Sequence, residues 1–139
     1  RPARLRRRTP SRRDGNDDSG EPDVNTHATD EQVQELAATA KPHTMALLWW
    51  TPERNQHGAD ATEAEHQRRM VSLRADGVIA VLCPVLSDTL AGVAIMTVTP
   101  EAATEILDGD PCVRAGMMRR EVYPCLGFPG DALTAGIVP

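Results

Sequence analysis

The apolar positions between residues 30 and 125 follow two different spacings along the chain. Short apolar runs at 44–50, 78–84, 92–98 and 117–125 predict four strands. Residues at helical spacing fill the two long gaps between these runs. His66, Met70 and Leu73 share one face of the first of these helices, so His66 should point toward the apolar side.

Capping signals bound the predicted helices. A short helix precedes the first strand, with Asp30 as its N-cap and Pro42 just beyond its end. Thr62 and Glu65 have the spacing of a capping box, so the next helix should begin there, after a polar loop. This helix should end at Gly77. The second long helix should begin at Thr99 and Pro100 and end at Gly109, with Asp108 as a further capping residue.

After the short first helix, the order of elements is strand, helix, strand, strand, helix, strand. Two right-handed crossovers in this order predict an α+β fold, a ferredoxin-like βαββαβ sandwich with both helices on one sheet face. The middle strands are apolar on both sides, so a second copy of the chain should cover the open face. The sequence therefore predicts a homodimer that forms a dimeric α+β barrel, with Trp49 and Trp50 in its core and dimer surface.

The N-terminal residues differ sharply from this pattern. Residues 1–13 carry seven arginines and no acid, and the polar stretch that follows has hardly any apolar side chain. Such a segment cannot bury enough surface to offset the entropy of ordering it. We expect a disordered arm at 1–29, a folded domain at 30–135 and a tail at 136–139. The arm is interpreted as a solvated tail or as a contact for nucleic acid or anionic lipid.

Charge and composition exclude several classes of function. The 139-residue chain has a net charge of −5 and 3% aromatic residues, and residues 31–139 alone carry −6. An acidic, aromatic-poor domain is unsuited to binding nucleic acid. The apolar runs are far shorter than the roughly 18 residues needed to span a bilayer, so no membrane association is expected. The sequence contains no recognisable cofactor-binding motif, so no cofactor is expected.

Three cysteines, Cys83, Cys112 and Cys125, give an odd count without CxxC spacing. This usage is typical of a reducing compartment and predicts a cytoplasmic protein without a disulfide framework. The histidine and cysteine spacings match no zinc site, so no metal is expected. The thiols of Cys83 and Cys112 are expected to be buried and inert.

The candidate chemistry lies in His66 and Asp110. A histidine paired with a carboxylate in a cleft can move a proton near neutral pH, and we expect the two side chains to come within about 3 Å. Two interpretations of each residue stay open. His66 is either a catalytic base or a core histidine bonded to a backbone carbonyl. Asp110 either orients His66 or caps its own turn before Pro111.

The sequence resembles the YCII-related (YciI-like) family over residues 30–135. The resemblance rests on the order and spacing of several weak motifs. They are His66, Gly77, the turn at Pro84, Gly92, the pair Asp110-Pro111, and Arg114-Ala115-Gly116 leading to Val122 and Pro124.

This resemblance implies a ferredoxin-like dimer with a pocket that holds His66 and Asp110. Some relatives act as lactone dehalogenases, and the wider superfamily includes muconolactone isomerases. Cys83 stands where the family usually has glycine before the turn proline, which alters the expected pocket wall. The expected substrate-binding residues are Cys83, Pro84, Pro111 and Arg114; for Arg114 the alternative is a solvated side chain.

The expected function is that of a small-molecule enzyme without a cofactor. His66 would take a proton next to a carbonyl while Asp110 fixes its tautomer. The expected reaction is isomerisation, elimination (including dehalogenation) or hydrolysis of a small organic acid or lactone. Two alternatives are a non-catalytic dimeric metabolite-binding module and an interaction protein whose dimer surface is its whole function.

Overall fold

The computed structural model describes residues 26–137. The part of the predicted arm at 1–25 and the last two residues of the predicted tail lie outside these described residues. The elements, in chain order, are α1 (Asp30–Ala38), β1 (Lys41–Trp50), a short 3-10 segment (Pro52–Asn55), α2 (Ala59–Ala75), β2 (Ile79–Pro84), β3 (Leu90–Met96), α3 (Pro100–Asp108), α4 (Pro111–Arg114) and β4 (Met118–Gly127).

The four strands form one antiparallel sheet in the order β2-β3-β1-β4. Because β1 and β2 both run antiparallel to β3 between them, α2 is a crossover between parallel strands. The same holds for α3, which connects β3 to β4 on the two sides of β1. The described chain is therefore an α+β protein whose sheet is compatible with a ferredoxin-like fold.

One face of the sheet and the helices enclose the core. Thr44, Ala46 and Leu48 alternate along β1 and are buried, and the register places Met96 and Ala94 of β3 beside the first two. The helices supply further buried apolar side chains, Met70 from α2 and Ala103 and Leu107 from α3. Alternation along β1 thus sends every second side chain toward the helices.

The opposite sheet face is not covered by any helix of residues 26–137. A row of partly or largely accessible side chains crosses all four strands, in the order Val81, Ile95, Met45 and Tyr123. Tyr123 is 48% exposed, and Val33 and Leu36 of α1 are exposed as well. The expectation that the middle strands are apolar on both sides is met. Among the described residues, no helix has both the length and the apolar character needed to cross a membrane.

The predicted start of the first strand was wrong. β1 begins at Lys41 and includes Pro42, which was expected to lie between α1 and the strand. Pairing with β3 begins only at Thr44, whereas Pro42 faces Leu126 of β4. Proline cannot donate to a sheet and is tolerated where one side of a strand has no partner. Pro42 lies where the strand extends beyond β3.

The predicted N-cap of α1 and the predicted start of α2 were also wrong, although α1 does begin at Asp30. α1 is capped by Thr29, whose hydroxyl accepts from the backbone of Gln32 and whose backbone N–H is bonded by the Gln32 side chain. This reciprocal capping box leaves Asp30 as the first helical residue. α2 begins at Ala59 after Gly58, whose φ of 77° closes the preceding loop. Thr62 lies inside the first turn, where its hydroxyl bonds the Gly58 carbonyl.

Candidate functional site

His66 enters the site from the middle of α2. The residue four positions later, Met70, is buried in the core, and His66 lies above it on the same side of the helix. Its side chain is 13% exposed. The helix therefore holds the imidazole at the border between the core and an accessible space.

Asp110 comes from the turn between α3 and α4. It is the N-cap of α4, and its Oδ2 accepts from the backbone N–H groups of Cys112 at 3.0 Å and Val113 at 3.3 Å. Pro111 at the first helical position favours this short helix, because its fixed φ suits a helix start. The carboxylate is completely buried. A capping role and a role in the site are thus combined in one side chain.

The two side chains are in direct contact. His66 Nδ1 lies 2.8 Å from Asp110 Oδ1 and 2.9 Å from Oδ2. The predicted contact is confirmed. Since a carboxylate only accepts hydrogen bonds, we assign the ring proton to Nδ1, which leaves Nε2 unprotonated in the neutral ring. An imidazole in this state can accept a proton at Nε2.

Arg69 is a third member of the site that the sequence analysis missed. Its Nη1 lies 4.0 Å from Asp110 Oδ1 and is buried without a hydrogen-bond partner within residues 26–137. Gly109 leaves room for it, because a Cβ at that position would lie 3.1 Å from Arg69 Nη2. A positive charge beside Asp110, together with two backbone donors, stabilises negative charge on that carboxylate. The spacing of three residues from His66 was the only sequence signal.

Cys112 also lies beside the pair. Burial, and to a lesser degree the negative charges of Asp110 and Glu63, raise the pKa of its thiol to about 12. The thiol is therefore protonated at neutral pH and unsuited to act as a nucleophile. This agrees with the expectation of an inert cysteine at this position.

Donor atoms of His66, Asp110 and Cys112 lie within 4.8 Å of one another, a grouping that could hold a metal ion. The existing contacts do not favour this use. Nδ1 and both carboxylate oxygens are engaged with each other, and the Arg69 guanidinium places a positive charge next to the same carboxylate. A cation would also have to displace the proton of a thiol whose pKa is raised. The absence of a metal stays a prediction.

A cavity of about 350 Å³ opens beside His66. It lies between α2 and the helix-facing side of the sheet, and its wall is mainly apolar. Typical wall residues are Leu48, Met70, Ile79 and Met96. Its volume lies at the lower end of the roughly 300–1,000 Å³ of small-molecule sites. A small ligand in the cavity would contact the histidine ring, while Asp110 lies behind that ring.

The other predicted site residues are divided between two places. Cys83 and Pro84, at the end of β2, line the cavity together with His66. Pro111 and Arg114 belong to α4 and do not line it, and Arg114 is exposed. Trp50, which was assigned to the core and the dimer surface, lines the cavity as well. The structure thus brings Cys83 and Pro84, but not Pro111 and Arg114, to the space next to His66.

Asp108 is not the cap that the sequence suggested. Its carboxylate accepts from Arg120 Nε at 2.8 Å and Nη2 at 3.2 Å. This hydrogen-bonded ion pair lies at the surface and holds the pKa of Asp108 below its ordinary value. The carboxylate with the capping role is Asp110.

The geometry of the site is one source of information on function, and similarity to known proteins is another. Comparison of the chain with protein-family models and with curated proteins finds no match to either.

Proposed function

We propose that this protein is a small-molecule enzyme that transfers a proton with His66 and needs no cofactor. The observation that carries the proposal is the contact of 2.8 Å between His66 Nδ1 and Asp110, with the histidine in the wall of a cavity. His66 would be the catalytic residue, since its Nε2 can accept a proton from a carbon next to a carbonyl. Asp110 would be a positioning residue that fixes the tautomer and stabilises the imidazolium.

The proposed reaction class is isomerisation, elimination (including dehalogenation) or hydrolysis. All of these can begin with removal of a proton by a neutral imidazole. The thiol of Cys112 is held in its protonated form, so it offers no competing nucleophile. This assignment agrees with the resemblance to the YCII-related family, and we propose membership in that family on the motifs described above.

A direct test does not require knowledge of the physiological substrate. A panel of ketones, esters and lactones is incubated with the protein in D₂O, and deuterium uptake next to each carbonyl is followed by ¹H NMR. The proposal predicts protein-dependent exchange, or hydrolysis of an ester or lactone, for at least one compound. His66→Asn should reduce it by about 10²-fold or more, the usual contribution of a general base. Glu65→Gln, at an exposed position of the same helix, serves as the control.

Exchange that persists in His66→Asn would show that His66 is not the base. If no compound exchanges or is hydrolysed but some bind in the cavity, the second candidate function replaces the first. That candidate is a non-catalytic dimeric module that binds a metabolite. The apolar character of most of the cavity wall favours it, because such a wall supports binding without contributing to chemistry.

We further propose that the protein is a cytoplasmic homodimer in which two sheets face each other as a barrel. The uncovered row of Val81, Ile95 and Met45 supports this, since a contiguous apolar sheet face is costly in water. Ile95→Lys should then give monomeric or insoluble protein in sedimentation experiments. A wild-type protein that sediments as a stable monomer at micromolar concentration would contradict the dimer.

A further inference from the structure

The polar side chains of the cavity are concentrated on one helix. Glu63, His66 and Gln67 stand at positions i, i+3 and i+4 of α2, so they share one side of the helix. Glu63 is half-buried and Gln67 is exposed, which places the latter toward the mouth. The strands contribute a mainly apolar wall opposite. A ligand would therefore meet polar groups along α2 and apolar side chains along the sheet.

The charge of this lining has one sign. Within the described part of the chain, the lining residues include neither lysine nor arginine. Glu63 takes part in no salt bridge of residues 26–137. A carboxylate ligand would lie beside this unpaired negative charge. Placing an unpaired charge in a largely apolar space is costly, and a like charge beside it adds to that cost.

We propose that the cavity takes an uncharged, largely apolar ligand with a hydroxyl or amide N–H group, and that Glu63 discriminates against organic anions. The inference rests on the proposed function only in using the same cavity beside His66. It narrows the expected substrates, because an organic acid in its ionised form would be excluded while a lactone, ester or alcohol would not. Glu63 would accept the hydrogen bond of the ligand, which makes it a residue that determines specificity.

A cationic ligand is disfavoured at the Trp50 end of the cavity. The Arg54 guanidinium lies 4.1 Å from the centre of the Trp50 ring, so this aromatic face already has a cation. Its charge would repel a positively charged group there. Arg69 lies next to Asp110, and these two opposite charges offset each other. Neither arginine lines the cavity, so neither offers a direct partner to an anion.

The test compares three probes of similar size and different charge: benzyl alcohol, benzoate and benzylammonium. Each is titrated into the full chain at neutral pH, and ¹H–¹⁵N spectra report both the affinity and the residues affected. Benzyl alcohol should shift the signals of cavity residues such as Val71 and Leu82. It should bind at least about tenfold more tightly than benzoate, a difference in binding free energy of about 1.4 kcal/mol.

Two matched variants assign the discrimination to Glu63. Glu63→Gln keeps an acceptor for the hydroxyl but removes the charge, so benzoate affinity should rise severalfold, while benzyl alcohol should bind more weakly because it loses a charge-assisted hydrogen bond. Glu65→Gln removes a charge from the exposed side of the same helix and should leave the ratio unchanged. Thermal melts confirm that both variants are folded.

Three results would overturn the inference. They are equal or tighter binding of benzoate in the wild type, at least tenfold tighter binding of benzylammonium, and signal shifts by benzyl alcohol outside the cavity. Failure of the proposed enzyme activity is a separate outcome. If no compound shows deuterium exchange but benzyl alcohol still binds more tightly than benzoate, the results would support a binding module for neutral ligands. Exchange on a carboxylate substrate without selectivity would support the enzyme and refute the role of Glu63.

Discussion

Asp108 and Asp110 stand two residues apart at the end of α3, in opposite surroundings. Asp108 is 51% exposed and pairs with Arg120 at the surface. Asp110 is completely buried and contacts His66 and two backbone N–H groups. Arg69 Nη1 lies 4.0 Å from its Oδ1. Water can replace the partner of Asp108, but it cannot reach Asp110. The same side chain is therefore exchangeable at one position and held in a network of buried contacts at the other.

Of the changes proposed here, removing each carboxylate in turn should give the largest difference in stability between the two positions. Asp110→Ala leaves the His66 ring and the Arg69 charge without their acceptor and removes the cap of α4. We expect a loss of about 3–5 kcal/mol in the free energy of unfolding, the usual result of breaking a buried pair from one side. Urea denaturation measures it. Asp108→Ala is the control, and a similar loss for both variants would refute the contrast.

Changing the partner of Asp110 should have the next largest effect. His66→Ala leaves the buried carboxylate with one donor fewer, which should cost about 1–3 kcal/mol. His66→Asn offers an amide N–H near the position of Nδ1 and should recover part of this loss without restoring a base. Denaturation curves of the two variants give the difference. If Asn is no better than Ala, the hydrogen bond to Asp110 is not what stabilises this region.

The contact between Gly109 and Arg69 predicts a smaller, conditional effect. Gly109 has a φ of −83°, which any residue adopts, so alanine there should stabilise the chain by about 0.4–1 kcal/mol where space allows. In the wild type the new Cβ would lie 3.1 Å from Arg69 Nη2, and the gain should be lost. In an Arg69→Met background it should return. A double-mutant cycle measures this coupling; purely additive effects would show that Arg69 does not occupy this space.

The ion pair between Asp108 and Arg120 should have the smallest effect on stability. That effect should be visible mainly through its pH dependence. Hydrogen bonding to Arg120 lowers the pKa of Asp108 from 3.8, so its contribution is present above that pH and is lost as the pH falls below it. The stability difference between wild type and Asp108→Asn should therefore shrink in acid, and added salt should shrink it at neutral pH. Thermal melts across this range test both trends. A difference that grows in acid would contradict the assignment.

The sequence predicted the types and the order of the main elements because hydrophobic spacing reports which faces are buried. It did not predict where β1 begins, since Pro42 is tolerated only by the stagger of β1 against β3, a property of the whole sheet. The Thr62–Glu65 spacing was equally misleading. The N-cap of α2 lies one turn earlier, at Gly58, whose left-handed conformation the sequence leaves open.

The candidate site, like the fold, could be predicted only in part. His66 and Asp110 could be proposed from residue type and from their positions on a helix face and beyond a helix end. Arg69 could not, because its role depends on the missing side chain at Gly109 and on the fold of the α3–α4 turn. The exclusion of Arg114 from the cavity likewise follows from α4, a four-residue helix between the predicted helix end at Gly109 and the strand predicted from residue 117.

The central claim is that Asp110 fixes the proton of His66 on Nδ1 and leaves Nε2 free to act. Long-range ¹H–¹⁵N NMR of the imidazole, at mildly alkaline pH where a free ring is neutral, distinguishes the two tautomers. We predict a ring protonated at Nδ1 in the wild type and in Asp108→Asn, and a mixture of tautomers in Asp110→Asn. A wild-type ring protonated at Nε2, or a tautomer that Asp110→Asn does not change, would contradict the account.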